Sequence, residues 1–322
     1  MKTIRALERT TTAWQLRTRA LELGRRTLVM GVVNITPDSF SDGGLFLDSD
    51  KAIAHALCLL DEGADLLDLG AESTRPGVKI SSQLDGANVA VHPSDKDLSL
   101  GAPAVSAAEE QARLLPVLNG ILRARPEAIV SVDTYKAETA RAALEAGAEI
   151  VNDVSGFTWD AGMAQVCAGL GAGVVLMHTR GRPDEWRGQE RLDSDAVLAM
   201  VREGLAGSVA AAERAGVAAE KIVLDPGYGF GKRFEENYAL LARQAELLEL
   251  GRPLLAGVSR KSFLRHALDG IYGGEAPTEA RETANVAAMT AAILNGASIV
   301  RVHAVKAAVE AARIADAISG AK

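Results

Sequence analysis

The stretch AIVSVD, Ala128 to Asp133, runs apolar and β-branched and then stops on a carboxylate that a buried strand has no reason to carry. Its neighbours in the chain repeat the device: TLVMGVVN ends at Asn34, ADLLDLGAES carries Asp68 and Glu72, EIVND carries Asn152, and GVVLMH ends at His178. KIVLD then ends at Asp225, LLAGVSRK at Ser259 to Lys261, and SIVRVH at Arg301 to His303. An amphipathic, helix-period stretch follows each run, so the order is strand then helix, eight times over. That alternation predicts a single α/β domain of the (β/α)8 TIM-barrel class, whose catalytic groups gather where the βα loops open at the C-terminal ends of the strands.

The length of 322 residues suits one barrel unit with additions. We read residues 1–26 as an N-terminal extension and 27–322 as the barrel domain, with an extended loop after strand two. That loop, 78–104, holds Gly, Ser, Asp, Asn and Pro without a period, which marks a functional loop or an insertion. Predicted helices cover about 49–62, 106–123, 136–146, 161–170, 194–215, 234–250, 278–295 and 305–318, with Arg265 to Pro277 as a Gly-rich connection. Ser106 and Glu109 are spaced as a capping box, and Gly147 is placed to end the third helix.

Hydrophobic residues make up 48% and charged residues 24%, soluble proportions with ample apolar mass for a core. No apolar run approaches the roughly 20 residues of a membrane span. The first 26 residues lack the apolar core of a secretion signal, so a cytoplasmic protein is expected. A net charge of −7 gives no general attraction to nucleic acid. The two cysteines, Cys58 and Cys167, fall on predicted helices among Ala and Leu, where buried packing is expected rather than a disulfide or a metal site.

Asp133 and Asp225 each close a strand, so a barrel aims both carboxylates into one mouth, where they can accept hydrogen bonds from an N–H-rich heterocycle, hold a metal, or act as acid and base. The plainer alternative is that each caps the following helix. Asn152 adds an amide able to read a ring edge, or a turn. Arg75, Lys261, Arg301 and His303 form a cationic set after strands two, seven and eight. Phosphate is its natural partner in this fold, and structural ion pairing is the alternative for any one member. Asn34, Thr74 and Ser259 offer neutral oxygens to an anion or to Mg2+, which keeps waters and takes few protein ligands. The loop DPGYGFGK, Asp225 to Lys232, lacks the spacing of a phosphate-binding loop and reads as a flexible rim with Tyr228 and Phe230 available for stacking.

Seven segments in order, VVNITPDSFSDGG, GAESTRPG, SVDTYK, NDVSGF, LDPGYGFGK, GVSRKSF and RVHAV, resemble the signatures of the dihydropteroate synthase family, pterin-binding barrels of the folate pathway. The resemblance covers about Thr27 to Ile318. It implies a transferase that condenses 6-hydroxymethyl-7,8-dihydropterin pyrophosphate with p-aminobenzoate. It also implies Mg2+ at Asn34 and a homodimer. Thr74, Arg301 and His303 would lie near the pyrophosphate or pterin. Asp133, Asn152, Asp225 and Lys261 would wall the pterin pocket, with Met177 packed on the ring. Arg75, Pro76, Phe230 and Ser259 would surround p-aminobenzoate. Asp133, Lys261, Arg301 and His303 are the catalytic candidates. Two departures stand out: Ala304 replaces the family's usual Asp after the strand-eight His, and the polar stretch after Gly77 is inserted. The rival functions are a pterin-binding paralogue without turnover and a methyltransferase acting between methyltetrahydrofolate and a corrinoid.

Overall fold

A computed structural model describes residues 10–35, 45–72, 105–274 and 276–321. Eight parallel strands close into a barrel: β3 (Leu28–Asn34), β4 (Leu66–Gly70), β5 (Val130–Asp133), β6 (Ile150–Asp153), β7 (Gly173–Met177), β8 (Ile222–Asp225), β9 (Leu254–Ala256) and β10 (Ala297–Val302), with β10 pairing back on β3. Helices α1 (Leu45–Asp61), α2 (Ala107–Ala124), α3 (Ala137–Glu145), α4 (Met163–Leu170), α5 (Ser194–Arg214), α6 (Phe234–Ala242), α7 (Ser262–Tyr272), α8 (Thr278–Leu294) and α9 (Val305–Gly320) follow the strands in turn. The eight predicted strands are β3 to β10, and the expected TIM barrel is the fold observed.

Alternation along the strands sorts the interior into two levels. Leu66, Ile150, Val175, Val223, Leu255 and Ile299 face inward in one apolar cluster, together with Leu28 and Met30. Two residues further along the same strands stand Asp68, Asn152, Met177, Asp225, Gly257 and Arg301, and on β5 the inward series Ile129, Ser131, Asp133 ends on a carboxylate. The barrel is therefore greasy at its base and polar at its mouth.

The N-terminal residues are part of that base. Strands β1 (Thr12–Gln15) and β2 (Ala20–Leu23) form an antiparallel hairpin whose Trp14, Leu16 and Leu23 join the lower cluster. Trp14 is 1% exposed, and its indole N–H donates to the Lys221 carbonyl, which removes the cost of burying that N–H.

Three sequence expectations need correction. Ser262–Tyr272 is a helix where a connection was expected from Arg265; Phe263, Leu264, Ala267, Leu268, Ile271 and Tyr272 recur at helical spacing, a period that the glycines at 270, 273 and 274 obscured. The helix expected to run to Leu250 ends at Ala242 and continues as a 3-10 turn over Gln244–Leu250. Cys58 is exposed and Cys167 buried: α1 turns Ala52, Ala56 and Leu59 inward and leaves position 58 on its outer side. The capping box at Ser106 and Glu109 forms as expected, and Gly147 follows α3 with a positive φ of 112°. No described helix is long and apolar enough to cross a membrane.

Candidate active site

The polar level of the barrel is wired through one arginine. Arg301 on β10 donates Nε to Asp68 Oδ2 at 2.6 Å and Nη2 to Asp133 Oδ2 at 2.7 Å, while Asn152 Nδ2 donates to the same Asp68 oxygen at 2.9 Å. Strand register accounts for part of the meeting: Gly70 pairs with Asp133 and Asp133 with Asn152, and Asp68 stands two residues before Gly70 on β4.

Asp225 closes β8 buried, and its Oδ1 accepts from the Gly227 amide at 2.7 Å. Neither it nor Asp133 caps the next helix, because the N-caps of α3 and α6 are Lys136 and Arg233. Lys261 is the N-cap residue of α7 and lays its ammonium 3.7 Å from the centre of the Phe230 ring, a cation–π contact. Trp186 meets the same ring edge-on at 5.3 Å. Met177 is buried with Tyr135 and Val154 in a small apolar cluster against Phe230 and Trp159, which supplies a flat, greasy surface beside the carboxylates. Ser259 Oγ and His303 Nδ1 lie 3.0 Å apart.

Burial sets the electrostatics. It raises the carboxyls of Asp133 and Asp225 above their ordinary values, opposed at both by the cations Arg301 and Lys261. It pushes Lys261 down to about 7, with Arg301 adding to the depression and Asp225 and Asp133 resisting it. The His303 imidazole is held at about 3 by burial and then by Arg260, Arg301 and Lys261, so it is neutral near pH 7. A neutral imidazole is a hydrogen-bonding group, not an added charge.

Asp133, Asn152, Met177, Asp225, Phe230, Ser259, Lys261, Arg301 and His303 thus belong to one end of the barrel, with Asn34 at the rim. Thr74, Arg75 and Pro76 lie outside the described residues, as does the whole 78–104 insertion. Tyr228 is corrected: it is fully buried, its hydroxyl donates to Gln244 Oε1 at 2.7 Å, and it is not available for stacking on a ligand. The loop around it is pinned through Lys232, not free as a rim. Asp68 was missing from the expected site. It closes the same kind of run as Asp133, and its partner role becomes visible only when β4, β6 and β10 are seen side by side.

Asn34 is exposed at the rim, in register with Gly70 beside Asp133. Among the described residues no group of three or more His, Cys, Asp or Glu is arranged to hold a metal. One neutral amide oxygen next to an anion pocket fits a cation that keeps most of its waters and takes its remaining ligands from a diphosphate, which is the habit of Mg2+.

Comparison with known proteins agrees with this geometry. The pterin binding enzyme family matches residues 30–90 and 98–303. The dihydropteroate synthase of Mycobacterium leprae is 42% identical over 289 residues, covering 90% of this chain and 92% of its own. The structure of the Xanthomonas albilineans dihydropteroate synthase with 4-aminobenzoic acid superposes with a TM-score of 0.80 at 39% identity, covering 97% of this chain and 100% of that one. The same organism's enzyme in complex with 7,8-dihydropteroate gives 0.76 at 36% identity, with coverage of 96% and 100%.

Proposed function

The chain belongs to the pterin-binding enzymes, among the dihydropteroate synthases, and from that membership we propose how its barrel mouth carries out the family's reaction. The reaction joins 6-hydroxymethyl-7,8-dihydropterin pyrophosphate to p-aminobenzoate, giving 7,8-dihydropteroate and pyrophosphate. The observation that carries the reading is the hydrogen-bonded layer in which Arg301 joins Asp68 and Asp133, and Asn152 joins Asp68, at the barrel mouth.

Asp133, Asn152 and Asp225 accept from and donate to the edge of the pterin, and Met177 packs on its face. Lys261, Arg301 and the neutral imidazole of His303 face the diphosphate, with Thr74 expected beside them. Mg2+ at Asn34 would neutralise part of the diphosphate charge and so make it a better leaving group. The bond from the pterin methylene carbon to oxygen breaks, and the electron pair leaves with pyrophosphate. Charge developing on the methylene carbon is stabilised by Asp133 and Asp225, carboxylates fixed before the reaction begins. The p-aminobenzoate nitrogen then bonds to that carbon and becomes acidic enough to lose its proton without a dedicated strong base, so no general base is assigned. Phe230 and Ser259, with Arg75 and Pro76, surround the arylamine. The dehydrated mouth favours capture by the amine over capture by water.

A homodimer is part of the same proposal, supported by Ile314 and Ile318, 64% and 51% exposed on α9. Light scattering that returns the mass of one chain would remove that element alone.

Mixing the protein with pterin pyrophosphate, p-aminobenzoate and Mg2+ and following pyrophosphate tests the function. Release that requires the arylamine is expected. Pterin binding without release would point to a non-catalytic paralogue, and methyl transfer from methyltetrahydrofolate to a corrinoid would point to the methyltransferase.

A further inference from the structure

Lys232 closes a glycine-rich loop. Gly227, Gly229 and Gly231 all have positive φ, at 68°, 82° and 69°, so the segment between β8 and α6 has little stiffness of its own. Gly227 also packs backbone against backbone, since a Cβ there would sit 1.9 Å from the His178 carbonyl oxygen. A lysine beside glycines suggests an anion ligand, yet this ammonium turns inward. Its Nζ donates to the carbonyls of Gly227 at 2.7 Å, His178 at 3.2 Å and Phe230 at 3.3 Å, and the residue is buried. Among the described residues Lys232 makes no ion pair within 4.0 Å.

Three carbonyls from two loops thus share one ammonium whose three hydrogens they can fully satisfy. His178 follows β7, and the other two carbonyls belong to the glycine loop. The consequences for the two halves of the site differ. Asp225 is held by the β8 ladder and by the Gly227 amide. Phe230 has no strand beneath it: among the described residues, besides the ammonium, its main chain is held only by Phe230 N to Gly227 O at 3.2 Å and by Arg180 N to Phe230 O at 3.3 Å. Phe230 in turn carries Lys261 on its ring.

We propose that Lys232 is a positioning residue for the arylamine half of the reaction, clipping the β8–α6 loop to the end of β7 so that Phe230, and through it Lys261, stands where the second substrate enters. The proposal rests on the substrate assignment above. Its test is the Lys232→Met variant, in which the KM for p-aminobenzoate rises about tenfold while that for pterin pyrophosphate changes less than about threefold. In a Phe230→Ala background the same substitution adds less than about twofold, because its route of action is already gone. Hydrogen exchange, which needs no substrate, reads faster exchange at 227–231 with unchanged protection in β7 and β8. Equal changes in both KM values, or full additivity with Phe230→Ala, would overturn the proposal. If Lys232→Met does not fold, Lys232→Gln is judged by the same measures; if neither folds, the ammonium holds the barrel rather than the loop and the proposal falls. Should the wild-type protein release no pyrophosphate at all, the functional reading fails, while the exchange measurement still decides whether Lys232 clips the loop.

Discussion

Arg301 and Asp133, far apart in sequence, are joined by a 2.7 Å hydrogen bond at the barrel mouth, and the same guanidinium reaches Asp68 at 2.6 Å. A cation fixed between two carboxylates keeps the polar layer assembled before any substrate arrives. That arrangement makes the contribution of each charge measurable. Asp133→Ala and Lys261→Ala are each expected to lower kcat/KM by at least about 10²–10³-fold, the scale for losing one preorganised electrostatic group. Circular dichroism should show the barrel intact in both. Near-normal pyrophosphate release by either variant would remove that residue from the site.

Lys261 predicts a pH dependence with a definite sign. Burial holds its ammonium at about 7, so the empty site loses this charge as pH rises above neutrality. A diphosphate favours the charged form and draws a proton back. The ratio of pyrophosphate Kd in wild type to that in Lys261→Arg should therefore climb above pH 7, approaching about tenfold per unit, because arginine stays charged. The ratio cancels the titration of pyrophosphate itself. His303, held near 3, adds no limb between pH 5 and 8, so His303→Asn should leave the slope unchanged. For stability the sign is the reverse of a salt-bridged lysine: from about 7 to the ordinary 10.5 the unfolded chain binds more protons, so this group makes stability rise with pH across that window. Calorimetric titration at pH 6, 7, 8 and 9 measures the ratio.

Ala304 leaves α9 without a side-chain N-cap. Ala304→Asp should therefore add about 1 kcal/mol of stability, the usual worth of such a cap, and raise the melting temperature by roughly 2 °C. Turnover should stay within about twofold, because the His303 ring is already held by Ser259 Oγ at 3.0 Å. A lower melting temperature would show that the site cannot take the carboxylate beside Glu282.

Glu72 ties together the described residues on either side of positions 73–104. It pairs with the buried Lys136, which also reaches Glu110 Oε2 at 3.0 Å, and its Oε1 accepts the amide of Val105 at 3.3 Å, where the described chain resumes. The barrel is thereby insulated from the length of what lies between. Deleting 78–103 should leave the protein folded and catalysis measurable. Lys136→Ala, in contrast, strands two buried carboxylates and should cost about 3–5 kcal/mol in urea unfolding. Complete inactivity of a folded deletion variant would show that the insertion serves the site.

The barrel and most of its polar mouth were legible because strand periodicity is local. An inward apolar residue followed two positions later by Asp, Asn or Arg is a statement about one strand, and β4, β6, β8 and β10 each make it with Asp68, Asn152, Asp225 and Arg301. Asp68 escaped for the opposite reason: its role is to accept from Asn152 and Arg301, a relationship between three strands that no single run contains. The hairpin at the base carried a faint signal in the alternation of Trp14 with Leu16 and of Leu21 with Leu23, masked by the intervening Arg and Thr. Lys232 was illegible because the direction of its side chain depends on carbonyls donated by two separate loops. Tyr228 and Phe230 look alike in sequence, and only packing sends one hydroxyl to Gln244 and leaves the other ring beside Lys261.

The most direct test of the whole account is a crystal structure of the protein with a non-hydrolysable pterin pyrophosphate analogue and Mg2+. The account predicts the bicyclic ring against Met177, edged by Asp133, Asn152 and Asp225, with the diphosphate between Arg301, His303 and Asn34. A ligand bound with its ring away from Asp133 and Asn152, or its phosphates away from Arg301, would contradict it.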